Sequence, residues 1–247
     1  MSKQLALKDR LKKRRDELAK GAKGGYKFFI FKEGTHRMRP LPVGEEREFA
    51  VEAIYFYLSK ELGGIVSPAT FNEPCAIMEA YQKLKSSEND DDRELAKTIA
   101  PKKRFFVPHI KYLDEKGTKV DHDAGIKLAI LTNGQYQDLI DLYLDTDEAG
   151  DFTNPKDGYD IKYGRTGSGQ FDTEYTVRAC KSTPLDKKYA KQVYDPETML
   201  KALIPTYEET QEIVTKIIGS TLEDSPVEKP LKKKKKKIKD GKKIKSN

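Results

Sequence analysis

Residues 159–180 read YDIKYGRTGSGQFDTEYTVRAC, and the glycines at 164, 167 and 169 fall between two stretches of strand character. Residues 159–165 and 171–180 mix β-branched and aromatic side chains with polar ones, and residues 166–170 carry turn chemistry. A phosphate-binding loop needs Lys and then Ser or Thr after its last glycine, with a helix beyond. Here Gln170 and Phe171 follow Gly169, and a strand comes next. The segment therefore predicts a β-hairpin, with Arg165 as its charged contact if a phosphate backbone lies against the turn.

Working outward, strand signals dominate the chain. Residues 26–31 are a dense aromatic run, and residues 35–41 alternate until Pro40 and Pro42 stop them. Residues 47–58 (REFAVEAIYFYL) form the longest strand-like stretch. Phe49, Val51, Ala53, Tyr55 and Tyr57 share one face, and Phe56 breaks the alternation from the other. Further strands are expected at 104–113 and 125–132, with a polar turn at 115–123. Helical spacing appears at 73–84 through Ile77, Met78, Tyr81 and Leu84, and a short helix follows around 93–99. A third helix is expected at 135–144 with Asn133 as its cap, and two more at 196–203 and 207–218.

About six strands with helices inserted midway do not alternate as βαβ units do. The expected fold is mainly β with inserted helices (α+β): an OB-fold-like, five- to six-stranded, partly open barrel. The expected organisation is a basic arm at 1–25, a core at 26–190 with a helical insertion at about 73–99, helices at 191–222 and a disordered Lys-rich tail at 223–247.

The charge is unevenly spread. Of a net +7, residues 1–25 carry +6 and residues 230–247 carry +9, which leaves −8 on residues 26–229. The basic ends attract polyanions, and each phosphate they neutralise adds a salt-dependent increment of affinity. An acidic middle binds nucleic acid only through a localised basic strip. The Lys run at 232–237 reads as a nucleic-acid arm, a nuclear-import signal or a plain solubilising end.

Other classes find little support. No apolar run approaches the ~20 residues of a spanning helix, and the first 20 residues lack a signal peptide's apolar stretch. Cys75 and Cys180 are too few for a disulfide framework and suit a reducing, cytoplasmic setting. With His36, His109 and His122 they are scattered, without the spacing of a zinc site, so no cofactor is expected. No nucleophile elbow or patterned carboxylate pair is present, and Asp90, Asp91 and Asp92 read as a solvated loop rather than a nuclease centre. The chain is not expected to be an enzyme.

The candidate strip starts at Lys102-Lys103-Arg104-Phe105-Phe106, where three cations precede two aromatics. Single-strand binders need that mixture, because cations track phosphates and aromatic faces stack bases. Arg37 and Arg39 share a strand face and repel unless an anion lies over them. That anion is either a bound phosphate or a core carboxylate. Tyr163, Arg165 and Arg178 join the candidates from their strand positions.

Read in order, these segments resemble the phage single-stranded DNA-binding proteins related to the helix-destabilising protein of T-even phages. The resemblance rests on residues 34–42 (GTHRMRPLP), the Cys75-bearing helix, the basic-aromatic strand at 102–113 and the hairpin at 165–177. It covers roughly residues 26–190. It implies an OB-fold cleft for single-stranded DNA lined by Arg39, Lys102, Lys103, Arg104, Phe105, Phe106 and Tyr175. It also implies a role in DNA replication, recombination and repair, in the host cytoplasm for a phage-encoded protein. Self-association along the strand would run through the arm with Lys12, Lys13, Arg14 and Arg15, and replication or recombination proteins are implied partners. Two features depart from the family: only Cys75 remains of the cysteines in its zinc-binding insertion, and the chain ends in lysines where the family ends acidic. The alternative reading is a structural or assembly protein that touches nucleic acid through its basic tail.

Overall fold

The fold turns on one strand that has three partners. In the computed structural model, β5 (Lys102–Lys111) pairs along one edge with β6 (Lys127–Leu131), from Phe105 opposite Leu131 to His109 opposite Lys127. Its other edge is shared. The first half pairs antiparallel with β3 (Val51–Ser59), Phe106 opposite Val51 and Lys102 opposite Tyr55. The second half pairs with β2 (Gly34–Pro40), Ile110 opposite Arg39. Pro108 sits at the hand-over. Its carbonyl accepts from Leu41 N at 3.0 Å, so its missing N–H faces the gap where β3 has left and β2 has begun. The structure describes residues 27–44, 47–59, 63–145, 150–167 and 172–218; the arm with Lys12, Lys13, Arg14 and Arg15, and the tail, lie outside them.

From β2 the sheet continues to β7 (Tyr159–Thr166) and β8 (Glu174–Ser182), paired antiparallel up to Thr166 opposite Glu174. The hairpin read from the glycines is therefore present, with Gly167 at φ +80° where the chain leaves β7. On the far side β1 (Lys27–Phe29) lies parallel to β6. With β4 (Gly63–Val66) on β3, the described residues form a mixed sheet of eight strands, more than the five or six expected. The additions are short: β4 is the dipeptide-glycine run Gly63-Gly64-Ile65-Val66, too small to give a periodic signal.

Helices α1 (Ala76–Lys85), α2 (Asp90–Thr98), α3 (Asn133–Leu144), α4 (Pro196–Lys201) and α5 (Tyr207–Ile218) complete the α+β fold. The cap of α3 is Thr132, one residue before the expected Asn133. Its hydroxyl accepts from Gln135 N at 3.3 Å while Gln135 Oε1 accepts from Thr132 N at 2.9 Å. At α1, Cys75 stands in the cap position without a side-chain bond, and Thr210 of α5 accepts from Ala76 N at 3.1 Å instead.

Both sheet faces are covered. Phe105, Val107, Met38, Ile161 and Tyr163 point to one cluster, closed by Leu139 of α3 and by Phe152. Phe106, Ile110, Leu128, Ala53 and Tyr55 point to the other, closed by Leu185, Tyr194, Met199 and Leu200. The break in the β3 alternation has the same cause. Phe56, fully buried, packs on Cys75 and Ile77 beneath α1, so β3 is covered on two sides while Tyr57 at its end is exposed.

Candidate nucleic-acid interface

The start of β5 carries an exposed cationic strip. Lys102 and Lys103 are exposed, and Lys103 Nζ lies 2.9 Å from Glu52 Oε1 on β3. Arg104 is half-buried and donates from Nη1 to Lys103 O at 2.8 Å. Burial lowers its pKa, and Tyr55 and Tyr175 are the ionisable neighbours that act against this. Beside the strip, an open pocket of about 400 Å³ lies between β3, the 3-10 turn Pro68–Phe71 and the head of β5. Its walls include Thr70, Met78, Pro101, Lys102 and Lys103.

The closing hairpin adds a second group. Arg165 and Tyr175 are register partners on β7 and β8, with the guanidinium carbon 6.0 Å from the ring centre. Arg165 is anchored by donation from Nη1 to Phe31 O at 2.7 Å. Arg178, further along the edge strand β8, is exposed opposite Lys162. With Tyr175 near both Arg104 and Arg165, the structure brings together cations and an aromatic from distant parts of the chain.

Four of the candidates go to the core instead. Phe106 is fully buried between Phe28 and Tyr55, at ring distances of 5.6 and 6.2 Å. Phe105 is 7% exposed and stacks on Tyr136 of α3 at 3.9 Å, so its face is already taken. Tyr163 packs on Phe31 at 4.7 Å, and burial pushes its phenol well above the usual range. Arg39 is fully buried, donating to Thr183 O at 2.8 Å and Asn154 O at 2.9 Å. None of these four presents a surface to a ligand in this conformation. Adjacent strand positions face opposite sides, yet both faces of β5 are packed, so neither Phe is left over for stacking.

The anion over Arg37 and Arg39 is Asp160. Its Oδ2 accepts from Arg37 Nε at 2.7 Å, and its Oδ1 lies 3.7 Å from Arg39 Nη1. Tyr112 donates to the same Oδ1 at 2.9 Å. Sequence reading missed Asp160 and Tyr112. The signal was a lone carboxylate between Tyr159 and Ile161 in a strand otherwise buried there. Loop residue Lys116 also accepts, through its carbonyl, from Arg37 Nη1, and Gly117 at φ +71° leaves the room that the guanidinium fills.

Among the described residues no group of three or more His, Cys, Asp or Glu is placed to hold a metal ion. Cys75 is a free cysteine buried with Phe56 and Ile77 among apolar side chains beneath α1. No helix among the described residues is long and apolar enough to cross a membrane.

The family described as gp32 DNA binding protein like matches residues 32–219, a span that holds almost the whole described sheet and all five helices. No curated protein matches the chain.

Proposed function

Because this chain belongs to the gp32-like family of DNA-binding proteins, we propose that it is a sequence-tolerant single-strand binder that coats and protects DNA in replication, recombination and repair. It acts by binding alone and catalyses no reaction. The observation that carries this reading is the grouping of Arg104, Tyr175 and Arg165 with exposed Lys102 and Lys103 at the head of β5. Cations there track phosphates, and the half-buried Tyr175 ring offers a face to a base. Both act without reading sequence, since every base has a π face.

In this reading the strand pair β7–β8 and the head of β5 are the two walls of an OB-fold-like cleft. The arm with Lys12, Lys13, Arg14 and Arg15 joins neighbouring copies along the strand, and the Lys-rich tail adds general attraction to phosphate. Zinc has no part in it, and the host cytoplasm is its place of action.

The test is a salt titration on oligo-dT and on duplex, with the full chain and with residues 230–247 deleted. The expected result is tighter binding of oligo-dT than of duplex, with a steep salt dependence that survives tail deletion. Equal affinity for both nucleic acids, or binding lost with the tail, overturns the cleft.

A further inference from the structure

At the other end of β5, about 30 Å away at the usual strand rise, three lysines cluster, two of them over one ring. Lys27 of β1 and Lys127 of β6 are register partners, and Lys127 is also paired with His109 of β5. Lys111 lies two residues beyond His109, on the same face. The ammonium groups of Lys111 and Lys127 each stand 5.9 Å from the centre of the Phe29 ring. That ring meets His36 and His109 edge-on, at 5.4 and 5.6 Å, which fixes its position under the lysines.

Three like charges so placed repel, and the described residues supply little to offset them. Among the described residues no carboxylate forms an ion pair with Lys27, Lys111 or Lys127. Burial, then Lys111 and Lys27, lower the pKa of Lys127, and Asp121 acts the other way. All three side chains remain partly open to solvent. A cationic cluster with no ion-paired carboxylate among the described residues is the complement of a polyanion. The ring gathers two of the ammonium groups, those of Lys111 and Lys127, through its π face without neutralising them.

We propose that Lys27, Lys111 and Lys127 form a second phosphate subsite for the bound single strand, separate from the Lys102–Arg104 strip; this rests on the single-strand-binding reading above. The ligand is a backbone phosphodiester held by three amines, with no contact to a base. The subsite adds affinity and salt dependence but no sequence preference.

The test uses the full chain and oligo-dT. The triple variant K27Q/K111Q/K127Q is expected to lower the slope of log affinity against log salt by about 0.7, the single-strand value for one phosphate. Between 50 and 200 mM salt the wild type then loses about 2.6-fold more affinity than the variant, at that slope. Acetylation of the wild-type amines, read by mass spectrometry, is expected to be suppressed at these three lysines by oligo-dT. That second measurement needs no variant and stands even if the triple variant folds poorly. Wild-type binding with an unchanged slope in a folded variant, and amines acetylated equally with and without DNA, overturns the subsite and leaves the first reading intact. Protection already present without DNA assigns the lysines to an acidic segment of this chain and overturns it too. Failure of the wild type to bind any single strand sinks both.

Discussion

Asp160 holds Arg37 through a single oxygen, accepting from Nε at 2.7 Å, and keeps its other oxygen for Tyr112 and the fully buried Arg39. The pair ties β7 to β2 at the point where β2 also joins β5. Burial lowers the pKa of Arg39, and Asp160 is the first of the groups that offset it. Replacing Asp160 by Ala leaves a buried cation with only two carbonyls and the Thr183 hydroxyl as hydrogen-bond partners. The expected loss is about 3–5 kcal/mol, the range for removing one member of a buried ion pair. Urea unfolding measures it, and a loss below about 1 kcal/mol would show that the carbonyls of Thr183 and Asn154 suffice.

His109 makes stability depend on pH. Its ring is fully buried, and burial first of all lowers its pKa from the usual 6.5 to about 4, with Lys127 adding to the effect. Between those values the unfolded chain binds a proton that the native ring refuses. Stability is therefore complete above pH 6.5, falls as pH drops towards 4, and levels off below. The whole effect is on the order of 3 kcal/mol. His109→Gln removes the titrating group, so the difference in urea midpoint between pH 7 and pH 4.5 is expected to shrink. An unchanged difference would place the pH sensitivity elsewhere.

The strands were legible where patterns run long. The closing hairpin, β3 and β5 stand out because alternation and aromatic runs persist for seven residues or more. The sheet's branching at Pro108 was not legible, because nothing local distinguishes a strand that changes partners halfway along its edge. The candidate site divides along the same line. Lys102, Lys103 and Arg178 are polar enough for position alone to put them at the surface, while Arg165 is partly buried and anchored to Phe31 O. Arg39, Phe105, Phe106 and Tyr163 have chemistry equally suited to a core or to a ligand, and burial depends on long-range partners: Asp160, 121 residues from Arg39, and Tyr136 of α3.

If Lys103 lies in the proposed cleft, Glu52 competes with phosphate for it. Its carboxylate sits 2.9 Å from the ammonium, and both side chains are more than half exposed, so the pair adds little to stability. Glu52→Gln is expected to leave the unfolding midpoint unchanged. Oligo-dT affinity at low salt should rise about 1.4- to fivefold, consistent with the ~0.2–1 kcal/mol of an exposed pair. Fluorescence anisotropy with labelled oligonucleotide reads it. Unchanged or weaker binding would remove Lys103 from the interface.

Thr210 acts as a cap supplied from another helix. Its hydroxyl, fully buried, accepts from Ala76 N at 3.1 Å and donates to Tyr207 O at 2.7 Å. The Cys75 side chain offers no bond to that helix end. Thr210→Val keeps the shape and removes the acceptor, at an expected cost of about 1–2 kcal/mol. Hydrogen exchange at Ala76 is expected to speed up in the variant more than exchange within α5. Equal acceleration in both helices would mean that the loss is global rather than a lost cap.

Tyr175 and Phe106 should separate binding from folding. Phe106 is fully enclosed by Phe28, Tyr55 and its core neighbours, so Phe106→Ala is expected to cost about 3–5 kcal/mol of stability. The fraction still folded should bind oligo-dT as the wild type does. Tyr175 is half-buried on the edge hairpin, with Arg165 against its ring. Tyr175→Leu keeps apolar contact with the core but removes the stacking face, so its unfolding midpoint should move little. Its oligo-dT affinity should fall by about 1–3 kcal/mol, the worth of one base–aromatic stack. Thermal unfolding with a binding titration on each variant checks the pair. If Tyr175→Leu binds as tightly as the wild type, the hairpin is not a wall of the cleft and the strip at Lys102–Arg104 must act without it.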